Sequence, residues 1–370
     1  MSYAIEERES RTINGLKTIF TFLVILIHAR AYTGKGYLDY GVGGVQGNLT
    51  IVTPDWLWNL EFIISGIIAH VAVPGFFLIS AILLYRKDFK FFENIKKKFR
   101  SICIPWFIII TFWIAVYAVV QRIPQIAPYF SNEDKIIANW NWFNYIDAYL
   151  GITGSPLVYP LWYLQNLIVL NIIAVPIKKL IDRFPRIVFA ILLVLYFSPF
   201  EHLLFCMEKV SLFWFCMGCY VVKSDIHIKD IERVKIVPLS ICYAISVTLS
   251  FVFREQWFDY IFDELNIISG ILVFAYIFWK KNGNETKDGE KIKSLHLQLL
   301  AKYSFFVYIM HEMNLRIILK AYTKIIGSSL IAQIIEYFII PAALILCLTI
   351  LGWLLERYLK PVYKVLNGGR

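Results

Sequence analysis

Charged side chains are scarce. Asp, Glu, Lys and Arg make up 17% of the 370 residues, while hydrophobic residues reach 58%. A soluble domain carries about a quarter charged residues, so this balance excludes a soluble two-domain enzyme of the same length. Cysteine is sparse as well. The six, Cys103, Cys206, Cys216, Cys219, Cys242 and Cys347, lie in or beside apolar runs without a paired spacing, which excludes a disulfide scaffold. Cys216-x-x-Cys219 has no βαβ context and reads as small apolar packing residues. Ordinary glycine and proline content excludes a collagen-like chain, and 17% aromatic residues excludes a disordered one. No His-x-x-x-His or Cys/His cluster points to a metal, and the glycines between 41 and 47 form no phosphate-loop pattern. No internal repeat of the transporter kind is visible. What remains is an integral membrane protein.

The net charge of +10 belongs to that setting, because the Lys and Arg residues cluster between apolar runs rather than on a basic face. Nucleic-acid binding is therefore not expected. A spanning helix needs about 20 apolar residues. The sequence predicts an all-α bundle of about ten spans, near 13–31, 62–84, 102–121, 161–177, 187–203, 205–222, 235–254, 261–279, 303–321 and 330–355. The fifth and sixth are short and parted only by the Glu201–His202 region. With the N-terminus cytoplasmic, 27 Lys and Arg fall on inside segments and 8 on outside segments. That asymmetry predicts N-in, C-in orientation. Residues 1–370 read as one transmembrane domain with no appended soluble domain. The first apolar run lacks a small-residue cleavage site and is long enough to stay as a span, so no signal peptide is expected.

Ionisable residues inside spans are costly and point to function. Lys17 and His28 lie eleven residues apart in the first span. Eleven steps of ~100° return them to one helix face, with Asn14 and Thr21 beside them, and the helical rise puts His28 roughly 16 Å from Lys17 toward the outer leaflet. Lys17 reads either as a functional cation or as a side chain snorkelling to the inner interface. His28 reads as a reactive imidazole or as a hydrogen-bonded packing histidine. His70, in the outer half of span two, carries the same two readings. His311, Glu312 and Arg316 lie in span nine, where Glu312 and Arg316 have the i, i+4 spacing of an internal ion pair.

These residues fall into a pattern. Arg11-Thr-Ile-Asn-Gly-Leu-Lys17 followed by Val24-Ile-Leu-Ile-His28 resembles the opening helix of acyltransferase family 3, with Asn14 where Asp is common and Lys17 where Arg is common. Val73-Pro-Gly-Phe-Phe-Leu-Ile-Ser-Ala81 is similar to that family's second span, with Ala81 replacing a usual Gly. Lys96-Lys-Lys-Phe-Arg100 before Ile104-Pro105-Trp106 resembles its basic loop and proline-started third span, its paired arginines falling on Lys97 and Arg100. Pro160-Leu-Trp162-Tyr163, Phe213-Trp-Phe-Cys-Met-Gly218 and Tyr303-Ser-Phe-Phe-Val-Tyr308-Ile-Met-His311 resemble later motifs. The six run in order from residue 11 to residue 311.

The resemblance implies a polytopic enzyme that transfers acyl groups, often acetyl, onto hydroxyl groups of cell-envelope glycans. The donor would be acetyl-CoA or a similar acyl-CoA, used as a co-substrate rather than held as a cofactor. It would approach from the cytoplasm, where Lys96, Lys97, Lys98 and Arg100 offer charge for the CoA phosphates. The same cluster also reads as a topology signal that binds anionic lipid. His28 would act as general base, with a covalent acyl-histidine as a variant. Lys17 would orient the donor, and His311 and Glu312 would orient His28 or line the acceptor path. The outer segment Asn139-Trp140-Asn-Trp142-Phe143-Asn-Tyr145-Ile-Asp147 sets aromatic faces beside amides and a carboxylate, which suits a sugar or, equally, an aromatic belt at the interface. Trp140, Trp142, Tyr145 and His70 are the candidate acceptor residues. The loop 34–60, with Tyr37, Asp39, Tyr40, Asp55, Trp56 and Trp58, is ambiguous in the same way. The expected partners are the lipid bilayer, acyl-CoA, a carbohydrate acceptor and glycan-assembly proteins, in a bacterial inner membrane. The competing reading is a transporter or flippase for a glycan.

Overall fold

The computed structural model describes residues 7–30, 53–87, 90–127, 130, 135–204, 207–283 and 288–369, and the side chains of 204 and 288–299 are outside that description. Tyr37, Asp39, Tyr40, the glycines 41–47, Cys206 and Lys287 therefore lie outside the described residues. The chain is helical almost throughout. In order, the main helices are α1 (Glu7–Ala29), α2 (Asp55–Tyr85), α3 (Phe91–Val120), α4 (Trp142–Leu150), α5 (Trp162–Ile172), α6 (Ala174–Arg183), α7 (Pro185–Tyr196), α8 (Lys209–Lys223), α9 (Ile236–Val252), α10 (Asp259–Lys281), α11 (Asp288–Ile326), α12 (Leu330–Tyr358) and α13 (Lys360–Leu366). α1, α2, α3, α10 and α12 are long and apolar enough to cross a membrane, and α5 with α6 makes a sixth candidate bent by 60°. The chain is thus an all-α, multi-pass membrane protein.

Proline accounts for the irregularities of the long helices. α2 passes through a π-helical stretch, Phe62–Ile67, and a 3₁₀ turn, Ile68–Val71, just before Pro74. α3 has a π-helical stretch, Phe99–Cys103, before Pro105. α12 has one at Ile335–Ile339, before Pro341. Proline has no N–H to give the carbonyl four residues back, and its ring crowds that carbonyl, so the preceding turn widens or tightens. Pro176 acts the same way at the α5–α6 bend, where it cannot donate to Ile172.

Two expectations are corrected. The basic segment before Pro105 is not a loop, because α3 begins at Phe91 and runs through the π-helical stretch, so Lys96, Lys97, Lys98 and Arg100 ride on a helix. The fifth and sixth spans are shorter than 187–203 and 205–222. α7 ends at Tyr196, α8 begins at Lys209, and between them His202–Leu204 pairs antiparallel with Met207–Glu208. Pro199, Glu201 and His202 explain the break, since neither proline nor two polar side chains prolong an apolar helix.

Contacts divide the chain into two compact units: Met1–Ile27 with Phe62–Lys98 and Asn166–Ser304, and His28–Glu61 with Phe99–Gln165 and Phe305–Arg370. The divisions fall within helices rather than in linkers.

The first unit packs small residues against large ones. Phe20 faces Gly75, where no Cβ intervenes, and Gly218 on α8 meets Ala81 on α2 so closely that an added Cβ would lie 2.6 Å from that of Ala81. Small residues of this kind let helix backbones approach in a membrane. Polar side chains repair the irregular part of α2, where Asn266 donates to the Ile67 carbonyl at 2.8 Å. Ser65 donates in turn to the Leu26 carbonyl at 2.6 Å. Two buried ion pairs complete this unit, Glu9–Arg86 at 2.8 Å and Lys209–Glu264 at 3.1 Å.

The second unit is built on α3, α4, α11 and α12 around Ile110, Tyr117, Phe306, Leu315 and Tyr337, all buried. Gln165 donates to the carbonyls of Tyr149 and Leu150 at 3.2 and 2.8 Å, closing the C-terminus of α4, where Gly151 takes a left-handed φ of 59°.

Candidate functional site

The second unit brings His28, at the end of α1, against α11. The rings of His28 and His311 lie 5.3 Å apart between centroids, inclined by 50°, and Tyr159 meets His28 edge-on at 5.9 Å. His28 is half-buried, whereas His311 has no exposed surface. The His311 Nδ1 lies 2.6 Å from the Tyr308 carbonyl oxygen. A carbonyl only accepts, so Nδ1 carries the hydrogen, which leaves Nε2 as the nitrogen with a free lone pair in the neutral ring. Nε2 has no hydrogen-bond partner among the described residues.

Three sequence motifs meet here. Tyr308 donates its hydroxyl to the Pro160 carbonyl, and its ring lies 5.7 Å from that of Tyr163. The Pro160–Tyr163 entry to α5 is thereby tied to the Tyr303–His311 stretch of α11, and the same stretch presents His311 to His28. One residue on, Glu312 binds Arg316 at 2.5 Å, as the i, i+4 spacing predicts. The Glu312 carboxylate is buried and keeps one oxygen, Oε2, without a partner among the described residues.

The other predicted residues are more dispersed. Lys17 is half-buried on α1 among the residues of the first unit, and its carbonyl accepts from Thr21 at 2.8 Å. His70 sits in the 3₁₀ turn of α2 with its side chain exposed. Lys96, Lys97 and Arg100 are exposed near the start of α3, and Lys98 is half-buried. Asn141 caps α4 by accepting from Phe143 and Asn144, which presents Trp142 and Tyr145 outward, with Trp140 against Tyr145 at 5.3 Å. Asp147 is engaged locally, accepting from the Thr153 amide at 2.9 Å and its hydroxyl at 2.6 Å. It shapes the turn after α4.

Sequence reasoning passed over Tyr159, which touches His28. It also passed over the buried carboxylates Glu61 and Glu336, which lie near each other in the second unit, and over Glu264, the partner of Lys209. Glu264 has a signal in the sequence, as a carboxylate inside an apolar run.

A polytopic helical membrane protein with two imidazoles and a carboxylate–guanidinium pair gathered where α1 meets α11 is the class this geometry defines. The chain belongs to acyltransferase family 3, residues 11–357 matching the acyltransferase domain of that family. It is also similar to the succinoglycan biosynthesis protein ExoH of Rhizobium meliloti (strain 1021), with 27% identity over 183 residues, 48% of this chain and 47% of the relative. The chain thus matches about half the length of that curated relative. No solved structure matches it.

Proposed function

We propose that the protein is a membrane O-acyltransferase that moves an acyl group, acetyl in the first instance, from cytoplasmic acyl-CoA to a hydroxyl of a cell-surface or lipid-linked carbohydrate. The observation that carries this reading is the half-buried His28 set against the fully buried His311. Family membership and the relative in succinoglycan biosynthesis support the reaction class and a glycan acceptor. In this reading the protein is a single domain of about ten spans in a bacterial inner membrane, N-in and C-in, the orientation that its Lys and Arg asymmetry favours.

In the proposed step His28 takes the proton of the acceptor hydroxyl as its oxygen attacks the thioester carbonyl. A C–O bond forms, the C–S bond breaks, and the proton passes from the imidazolium to the departing thiolate, giving an ester and free CoA. His311 is the positioning residue. The Tyr308 carbonyl fixes its ring, and its Nε2 lone pair supports a His28 N–H. The exposed Lys96, Lys97 and Arg100 with Lys98 receive the CoA phosphates, Lys17 orients the donor, and Trp140, Trp142 and Tyr145 offer ring faces to the sugar.

The test compares three strains: a deletion, the deletion with the wild-type gene, and the deletion with His28→Ala. Base-labile acyl groups on extracted surface glycans are weighed by mass spectrometry. Acyl groups that return only with the wild type are expected. Equal acyl content in all three strains with a changed amount of glycan would overturn the reading in favour of glycan export.

A further inference from the structure

α13 follows a break at the end of α12. Leu359 leaves helical geometry, with φ −131° and ψ 49°, and Pro361 stands in the first turn of the new helix, where its missing N–H breaks no bond. The helix packs on the Ile104–Val120 part of α3, and its buried side chain, Tyr363, sets its ring 6.1 Å from that of Phe306 on α11. We propose that residues 360–369 are a strap that fixes the turn carrying Arg100, and that Gly368 is thereby a positioning residue for the phosphates of the acyl donor. The proposal rests on the acyltransferase reading and its acyl-CoA donor.

The end of the strap is shaped to meet α3. Gly369 donates its amide to the Lys364 carbonyl at 2.7 Å, and Gly368 donates to the Val365 carbonyl at 3.2 Å. This pair of bonds is a Schellman closure, and it sets Gly368 at a left-handed φ of 65°. Gly368 then lies against Ser101, so close that an added Cβ would sit 2.2 Å from the Ser101 carbonyl oxygen and 2.8 Å from its Cα. These are backbone atoms, which cannot swing aside as the end of a side chain does, so a strain placed there is passed on. Glycine alone meets both demands, the left-handed φ and the close approach.

Ser101 is the middle residue of the π-helical stretch Phe99–Cys103. Ile102 and Cys103 are buried, whereas Arg100 is exposed. The stretch departs from the regular hydrogen-bond ladder, and Pro105 just beyond it has no N–H to give, so the turn is held less by its own helix than a regular turn is. The contact at Ser101 supplies the restraint from outside, on the residue next to Arg100. A guanidinium binds phosphate oxygens best when its planar fork is held in one orientation. The link runs further. Phe306, against which Tyr363 packs, lies two residues before Tyr308, whose carbonyl fixes His311. One strap thus bears on the donor turn and on the helix that carries His311. It lies beyond residues 11–357, so it adds to the donor site something that the family likeness does not supply.

The experiment is titration calorimetry with CoA as the probe, on the full chain in phosphatidylcholine nanodiscs at one fixed ionic strength, because exposed phosphate contacts weaken with salt. Gly368→Val should weaken CoA binding about tenfold and Gly368→Ala about threefold, with unfolding midpoints recorded beside them. Arg100→Ala is the reference. If Gly368 acts through Arg100, Gly368→Val should change CoA binding little once residue 100 is already alanine. A contact that merely seals the bundle would weaken binding equally in both backgrounds. That result overturns the proposal, as does wild-type CoA affinity in Gly368→Val. Should Gly368→Val not fold, Gly368→Ala carries the same comparison. CoA binding is read without acyl transfer, so the two readings fail separately. Loss of affinity on Arg100→Ala with none on Gly368→Val would count against the strap alone. No CoA binding by the wild type would remove the donor reading, and the role of the strap with it.

Discussion

Arg86 gives both ends of its guanidinium to Glu9, at 2.8 and 2.9 Å, and both side chains are buried. The carboxylate also accepts from the Ile228 amide at 3.0 Å. A single side chain therefore ties α1, the end of α2 and the segment after α8 within the first unit. Breaking such a pair strands a buried charge, at a cost of about 3–5 kcal/mol. Arg86→Ala should lower the unfolding midpoint in detergent sharply, and Arg86→Met with Glu9→Leu should recover most of the loss. A single variant as stable as the wild type would show the pair to be dispensable.

His311 lies behind His28, so its removal should act through the position of its neighbour. His311→Gln should lower kcat by about 10- to 100-fold, part of the range for general acid–base groups, with the KM for acyl-CoA little changed. The measurement is CoA release against acyl-CoA concentration in purified protein. A rise in KM with kcat unchanged would place His311 in donor binding instead.

Gly218 meets Ala81 across α8 and α2, where an added Cβ would lie 2.6 Å from the alanine Cβ and 2.8 Å from the Leu78 carbonyl oxygen. Gly218→Val should force the helices apart at a cost of about 1–3 kcal/mol. It should lower the unfolding midpoint without changing the affinity of the second unit for a ligand. An unchanged midpoint would mean that α8 moves freely on α2.

Glu208, in the hairpin outside the spans, has its carboxyl pushed up from an ordinary 4.5 to about 7, by burial first and by Glu201 second. Between those values the folded state holds a proton that the unfolded chain has released, so stability falls as pH rises from about 4.5 to about 7 and levels off above. Glu208→Gln should flatten that slope and stabilise the protein near neutral pH by about 1–3 kcal/mol. Unfolding midpoints of both proteins across pH 4.5–8, read against each other, test it, and parallel curves would count against it.

Much of this architecture is legible in the sequence because a membrane imposes simple rules. Long apolar runs give α1, α2, α3, α10 and α12, and the i, i+4 spacing of Glu312 and Arg316 gives their ion pair. His28 and His311 each stand out, since an imidazole in an apolar run is costly. That they face each other depends on packing between helices far apart in the chain, which no local pattern records. Tyr159 was missed for the same reason, as a tyrosine at a helix entry looks interfacial until its neighbour is known. Lys209, one of the eight cations assigned to the outside, is buried against Glu264 at 3.1 Å, a pairing that joins segments far apart in the chain. Asp147 read as facing a sugar, and Thr153, six residues on, takes it instead. The helical course of Lys96–Arg100 was hidden by Pro105, which signals a helix start but here sits just beyond a widened turn.

Those widened turns set how the protein can change length. Each π-helical stretch fits one residue more than a regular helix would, so it can take up a single extra amino acid without a loop. In α2 the stretch Phe62–Ile67 stands ahead of Gly75 and Ala81. Deleting one residue there would restore a regular helix and leave Gly75 facing Phe20 and Ala81 facing Gly218, whereas deleting one from the regular stretch between Val71 and Gly75 would turn everything beyond it by about 100°. Single-residue gaps in an alignment of relatives therefore belong inside these spans, at the three turns ahead of Pro74, Pro105 and Pro341, as much as in the connections between helices.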